Sequence, residues 1–198
     1  MTAGNGSPSA APDPSDGTGF RRVSQTMIYQ GRVFALLDEV YESPDGDRFD
    51  RQIVRHSGAV AIVPLHEDGT VTLIRQYRPS VGRRLLEIPA GLLDVPGELH
   101  LDAARRELRE EAGYIAGSIV ELCAYVPAPG LADERVTIFL AQELTFVGTE
   151  LMGAEEQDIT YERVPLVVCH AMIAAGSIID GKTSLGLLMA ERSVAAHG

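Results

Sequence analysis

At 198 residues, 45% of them hydrophobic, the chain is long enough for one domain with an appendage and apolar enough to bury a core. Its formal charge of -11 excludes a non-specific binder of nucleic acid or of an anionic membrane surface, because such partners demand a basic face. A small phosphorylated ligand stays open, since clustered arginine or a bound divalent cation reverses the potential inside a single pocket.

Residues 1 to 19, MTAGNGSPSAAPDPSDGTG, hold Gly, Pro, Ser and Asp without aliphatic periodicity and are expected to form a disordered tail. The start has neither the basic segment nor the apolar core of a signal peptide, and no apolar run approaches the roughly 20 residues of a bilayer span, so the chain reads as cytoplasmic. From Phe20 to about residue 57 the texture is β-rich. Strands are predicted at Gln25–Gln30, Val33–Tyr41 and Phe49–Val54, with a turn at the PDGD of 44–47, giving a small antiparallel N-terminal β domain. A second domain is expected over 58–198. The run Ala59–Leu65 is continuously apolar, as in a strand buried on both faces, and the turn His66-Glu67-Asp68-Gly69 returns it into Val71–Tyr77. Further strands are expected at Leu85–Pro89, Ile119–Val126, Val136–Glu143 and Ile159–Val164, with helices at Leu166–Ala175 and Leu185–Ala195. This alternation indicates an α/β layered fold. Cys123 and Cys169 are far apart and outside any CxxC pair, so they read as small buried residues, neither zinc ligands nor a disulfide.

The polar stretch 91–113 carries the chemistry. Leu101, Ala104, Leu108 and Ala112 recur at helical spacing, which predicts a helix over Asp102–Ala112 packed on a sheet, with Gly113 as its stop. Glu107, Glu110 and Glu111 then share the opposite, exposed face. Carboxylates so placed repel by a few tenths of a kcal/mol per pair, and the helix C-terminus disfavours Glu110 and Glu111 by roughly 0.3 to 1 kcal/mol each. Two readings of this face stand. It is a solvated surface neutralised by Arg105, Arg106 and Arg109, or it binds a divalent cation, and oxygen ligands without Cys or His select magnesium or manganese over zinc. The glycine-rich entry Pro89-Ala90-Gly91 and Pro96-Gly97-Glu98 favours the second reading, because it lets backbone carbonyls approach the carboxylates.

The segment GLLDVPGELHLDAARRELREEAGY resembles the Nudix box, G-x5-E-x7-R-E-U-x-E-E-x-G-U with U aliphatic. Gly91, Glu98, Arg106, Glu107, Leu108, Glu110, Glu111 and Gly113 match it. Six residues instead of five separate Gly91 from Glu98, and Tyr114 replaces the last aliphatic residue. The resemblance implies that Glu107 and Glu111 are the principal metal ligands, that Glu110 contributes directly or through water, that the Ala90 carbonyl completes the site, and that Arg106 pairs with Glu98 to orient the glutamates.

Outside the box, RQYRPSVGRRLLEIPAGLL at 75–93, VPAPGLADE at 126–134 and the acidic Glu155-Glu156-Gln157-Asp158 are similar to the ADP-ribose pyrophosphatase subfamily of Nudix hydrolases. That resemblance implies a Nudix α/β/α sandwich preceded by the β domain, which exchanges between the subunits of a homodimer. It also implies substrate contacts from Arg51, Arg78 and Glu134. The general base falls on a carboxylate of a mobile loop, Glu156 in preference to Glu155. The reaction it implies is magnesium-dependent hydrolysis of a nucleoside diphosphate derivative, ADP-ribose giving AMP and ribose 5-phosphate. A nucleotide-sugar diphosphatase of GDP-mannose type is the alternative. A silent ADP-ribose sensor is a third reading, but it expects a degraded box, and the glutamates here are intact.

Overall fold

The computed structural model describes residues 17–151 and 157–197. Residues 1–16 of the expected tail, and both Glu155 and Glu156, lie outside the described residues. The chain divides into two compact units, the first made of residues up to Gly58 together with Val126–Arg135, the second of Ala59–Tyr125 with Val136 onward.

The first unit is a three-stranded antiparallel meander, β1 (Arg21–Gln30), β2 (Phe34–Glu42) and β3 (Arg48–His56). The turn between β2 and β3 closes as its sequence predicts: Gly46 donates to the Ser43 carbonyl from a left-handed conformation with φ 88°. One face of β2 is inward, and its row reads Ala35, Leu37, Glu39. The third position carries a charge where the period-2 pattern calls for an apolar residue. Arg55 on β3 answers it, Nη2 donating to both Glu39 oxygens at 2.7 Å, while Arg22 Nη1 adds a contact at 3.3 Å and the Tyr41 hydroxyl donates a further bond. Burial pushes the Glu39 carboxyl up, but the Tyr41 hydrogen bond and the Arg55 bond and charge outweigh it and hold the group below the ordinary carboxylate range. The segment 126–135 joins this sheet through Val54, whose N–H donates to the Leu131 carbonyl at 2.9 Å, and through Asp133, which accepts from Arg55 and from the His56 N–H.

The second unit is built on a four-stranded mixed sheet in the order β7 (Ala90–Leu92), β4 (Ala59–Pro64), β9 (Val136–Phe146), β8 (Tyr114–Tyr125). β4 runs parallel to β9 and is buried along its whole length, which is what its unbroken apolar run predicts. Val60 and Ile62 face α1 (His100–Ala112) along with Phe139 and Ala141. Ala61 and Val63 face the other way with Ile138 and Leu140, onto Leu187 and Ala190 of α3 (Gly181–His197) and Cys169 of α2 (Leu166–Ala174). The layers are therefore helix, sheet, helix: an α/β/α sandwich. A second sheet, β10 (Thr160–Pro165), β5 (Thr70–Arg78) and β6 (Arg83–Glu87), extends the unit, its β5–β6 hairpin turning through Pro79–Val81. Compared with the sequence reading, α1 starts two residues earlier, β8 begins directly after the helix at Tyr114, and β7 is additional. No helix among the described residues is long and apolar enough to cross a membrane.

Candidate active site

Helix α1 has no side-chain cap at its start, where Leu99 precedes it in extended conformation, and ends at Gly113, whose φ of 74° and bonds to the carbonyls of Arg109 and Leu108 form a left-handed stop. Its last turn is pinned from β10, where the Tyr161 hydroxyl donates to the Glu111 carbonyl at 2.8 Å. Of the apolar stripe predicted from Leu101, Ala104, Leu108 and Ala112, the last three are buried and Leu101 is half-buried. The carboxylate face departs from expectation. Glu107 and Glu111 are 8% and 6% exposed, not displayed to solvent, and only Glu110 is partly open.

The reason is β7. This three-residue edge strand lies against α1, and the Ala90 N–H donates to Glu111 Oε2 at 2.9 Å. Because Ile62 donates to the Pro89 carbonyl across β4, Ala90 occupies the next, non-bonded position of the ladder. Its N–H and carbonyl both turn outward, leaving the carbonyl on the edge that faces the carboxylates. Gly91 is the point of closest approach: a Cβ there would stand 1.9 Å from Glu107 Cδ and 2.0 Å from Oε1. The glycine of the box is thus demanded by space, since its φ is not left-handed.

Arg106 is the hub. Nε and Nη2 form a fork on Glu98 at 3.0 and 2.9 Å, and Nη1 reaches Glu107 at 2.5 Å and Glu110 at 3.3 Å. Arg105 instead contacts Asp102, and Arg109 contacts Glu150, so of the three arginines expected to neutralise the face, only Arg106 touches its glutamates. The Arg106 bond holds the Glu98 carboxyl below its ordinary range. Glu107 moves the other way: burial raises its pKa against the charge and hydrogen bond of Arg106, with Glu110 and Asp94 adding to the rise.

Arg106, Glu107, Glu110 and Glu111 line a cavity of about 410 Å³ together with Gln76, Arg78 and Asp94. Arg78 lines the cavity as expected, with one fork of its guanidinium committed, Nε and Nη2 each donating to Glu87 at 2.8 Å, which leaves the protons of Nη1 and the second of Nη2 for a ligand. Glu87, 1% exposed, also meets Lys182 at the start of α3, and Lys182 in turn pairs with Asp180 at 3.0 Å. Burial raises the Glu87 pKa, and the Arg78 hydrogen bond and the Lys182 charge overturn that rise and leave it lowered. Sequence reasoning missed Glu87, Lys182 and Gln76. The alternation of β5, which puts Gln76 and Arg78 on one face, is the signal that could have found the last of them.

Arg51 and Glu134 belong to the first unit. The guanidinium of Arg51 lies 4.9 Å from the Phe49 ring centroid and donates to the Asp50 carbonyl, and Glu134 lies 3.7 Å from His56 Nδ1.

Whether the cavity suits a cation is decided by its donors and its charge. Four carboxylates, Asp94, Glu107, Glu110 and Glu111, face two guanidiniums, a surplus that matches one divalent ion and would otherwise repel an anionic substrate. Every donor is oxygen, the preference of magnesium and manganese. Among the described residues no three His, Cys, Asp or Glu side chains are arranged so that they could hold a metal ion by themselves.

Comparison with known proteins gives an independent line. Residues 55–168 match the NUDIX domain. The chain is 40% identical over 170 residues to the ADP-ribose pyrophosphatase of Mycobacterium tuberculosis, covering 85% of this chain and 82% of that one. It is 33% identical over 167 residues to the ADP-ribose pyrophosphatase of Bacillus subtilis, covering 84% and 90%. Among solved structures, a crystal structure of an ADP compounds hydrolase superimposes with a TM-score of 0.80 at 26% identity, covering 90% of this chain and 96% of that one.

Proposed function

The chain belongs to the NUDIX family of hydrolases, and on that premise we propose that its substrate is ADP-ribose, cleaved at the diphosphate to AMP and ribose 5-phosphate with magnesium bound. The observation that carries this reading is the buried, oxygen-only carboxylate face of α1 against β7, in a chain that matches ADP-ribose pyrophosphatases over most of its length.

Glu107, Glu110, Glu111 and the Ala90 carbonyl would hold the ion. When bound, a divalent cation neutralises the diphosphate oxygens and lowers the pKa of water. The residues of the chain do the rest. Arg106, anchored on Glu98, fixes where Glu107 and Glu110 point, and the Ala90 N–H fixes Glu111. Arg78, held by Glu87, presents Nη1 toward the diphosphate. Water adds to one phosphorus as the bridging P–O bond breaks, and its proton passes to a general base, assigned to Glu156 by resemblance. The assignments of Arg51 and Glu134 to substrate rest on the same resemblance.

The test is a product assay over ADP-ribose, GDP-mannose, UDP-glucose, NADH and diadenosine compounds with magnesium present. ADP-ribose is expected to show the highest kcat/KM, with AMP as product. A higher value for GDP-mannose transfers the reading to the nucleotide-sugar alternative, and hydrolysis of none leaves only the sensor. For the base, Glu156→Gln is expected to lower kcat roughly 10²–10⁴-fold with little change in KM, and Glu155→Gln to be mild. A homodimer in the cytoplasm belongs to the same reading. What supports assembly is β1, where Met27, Ile28 and Tyr29 are each about half exposed, and light scattering that returns a monomer of about 21 kDa at micromolar concentration removes it.

A further inference from the structure

Gln76 stands on β5 two residues before Arg78, and its side chain lines the cavity that also holds Arg106, Glu107 and Glu111. It is 4% exposed, and its Oε1 has no hydrogen-bond partner, a condition that only one other buried side-chain atom, Arg55 Nε in the first unit, shares among the described residues. A buried carbonyl without a donor destabilises a fold, so leucine would serve the architecture better at this position. The exception calls for a reason.

An acceptor needs a donor, and none of the cavity's own donors reaches Gln76 Oε1. Ionised carboxylates and phosphate oxygens carry no proton, the fork of Arg78 is engaged by Glu87, and Arg106 is spread over Glu98, Glu107 and Glu110. The missing partner is therefore an O–H group brought in from outside. A hydrated divalent cation brings several, since magnesium parts with its water reluctantly and a water on a cation is a strengthened donor.

We propose that Gln76 is a positioning residue for the divalent cation: its Oε1 accepts a hydrogen bond from a water of the hydrated ion that the α1 carboxylates hold, so that it grips the ion's shell without touching the ion. Outer partners of this kind orient a metal site as well as its direct ligands do. The inference rests on the cation assignment proposed above. A sugar hydroxyl of the substrate offers the same O–H chemistry, and the two sources separate when binding is measured without substrate.

The experiment titrates Mn²⁺ by electron paramagnetic resonance into the substrate-free chain, as wild type, Gln76→Leu, Gln76→Glu and, as control, Glu107→Gln. Gln76→Leu is expected to raise the Mn²⁺ Kd roughly tenfold, at the low end of what outer-shell substitutions cost. Gln76→Glu keeps an acceptor of the same shape and is expected to bind at least as tightly as wild type. The cation-free Tm of Gln76→Leu should equal or exceed that of wild type, which shows that the fold is intact. An unchanged Kd in Gln76→Leu overturns the proposal, and with a raised KM for ADP-ribose it assigns Oε1 to the sugar. A weakened Kd in Gln76→Glu also overturns it, since a donor from Gln76 would then be what the site requires. If wild type and Glu107→Gln bind Mn²⁺ equally, the carboxylate assignment itself is wrong and this inference goes with it.

Discussion

Two buried glutamates, each against an arginine, are both pushed up by burial and yet end shifted in opposite directions. Glu39 in the N-terminal sheet is fully enclosed, yet Tyr41, Arg55 and Arg22 surround it and its pKa is lowered. Glu107 on α1 is slightly more open, has one arginine which it shares with Glu98 and Glu110, and its pKa is raised. The difference lies in how completely the charge is answered. In the first cluster the carboxylate is fully answered, with Arg55 also paired to Asp133, and the group works as a structural tie. The second has more carboxylate than cation, keeps its ionised form at a disadvantage, and gains from a ligand of positive charge.

The sharpest way to break this comparison is to neutralise each glutamate in turn. Glu107→Gln and Glu111→Gln are expected to lower kcat by roughly 10²–10⁴-fold, the loss of several kcal/mol of charge stabilisation at the transition state, while Tm in chelator equals or exceeds that of wild type. Wild-type turnover in either variant would remove the α1 face from the chemistry. Glu39→Gln should show the reverse pattern in stability: with Arg55 left buried and under-compensated, urea denaturation should report a loss of about 3–5 kcal/mol. A loss below about 1 kcal/mol would make the two clusters alike.

Magnesium should sharpen the contrast further. At 100 times its Kd a ligand stabilises by about 2.7 kcal/mol, so Tm should rise by several degrees in wild type and not in Glu107→Gln. A rise of the same size in both would take the ion off Glu107. The smallest effect is in pH. Glu39, with its folded pKa below the unfolded value, stabilises fully above the ordinary carboxylate range near about pH 4 and loses that contribution as pH falls through the folded pKa. Glu107, raised, opposes folding above its folded pKa and is relieved as pH falls toward the unfolded one. In cation-free buffer, the Tm gap between wild type and Glu39→Gln should therefore narrow on acidification, and any advantage of Glu107→Gln over wild type should shrink. A Glu39 gap that widened would reverse the sign assigned here.

Much of the fold can be read in the sequence, because it is written in periodicities that local geometry enforces. The unbroken run at Ala59–Leu65 gave a strand buried on both faces, and the stripe from Leu101 to Ala112 with Gly113 behind it gave a helix and its stop. β7 stayed hidden: three residues are too few for alternation to register, and Ala90 and Gly91 are chosen for closeness to α1, not for strand propensity. The burial of Glu107 and Glu111 follows from that unseen strand. Partnerships at long range were equally out of reach. Lys182 and Glu87 are 95 residues apart, and Arg55 and Asp133 are 78 apart, so only the folded chain shows which charges meet. The site's helix could be located from its motif, but the state of its charges could not.

Gly91 also makes the site open to a mutation that alters no charge and removes no functional group. A methyl group at this position would collide with the carboxylate end of the Glu107 side chain, which Arg106 holds, and with no backbone atom among its nearest neighbours, so the helix and sheet can stay in place while one carboxylate is levered aside. Gly91→Ala would thus keep all four cavity carboxylates and the chain's net charge of -11, yet spoil their common aim. Such an isoelectric knock-out makes a cleaner silent partner for wild type in cells than any glutamate substitution, because everything that senses the protein's overall electrostatics would see the same molecule.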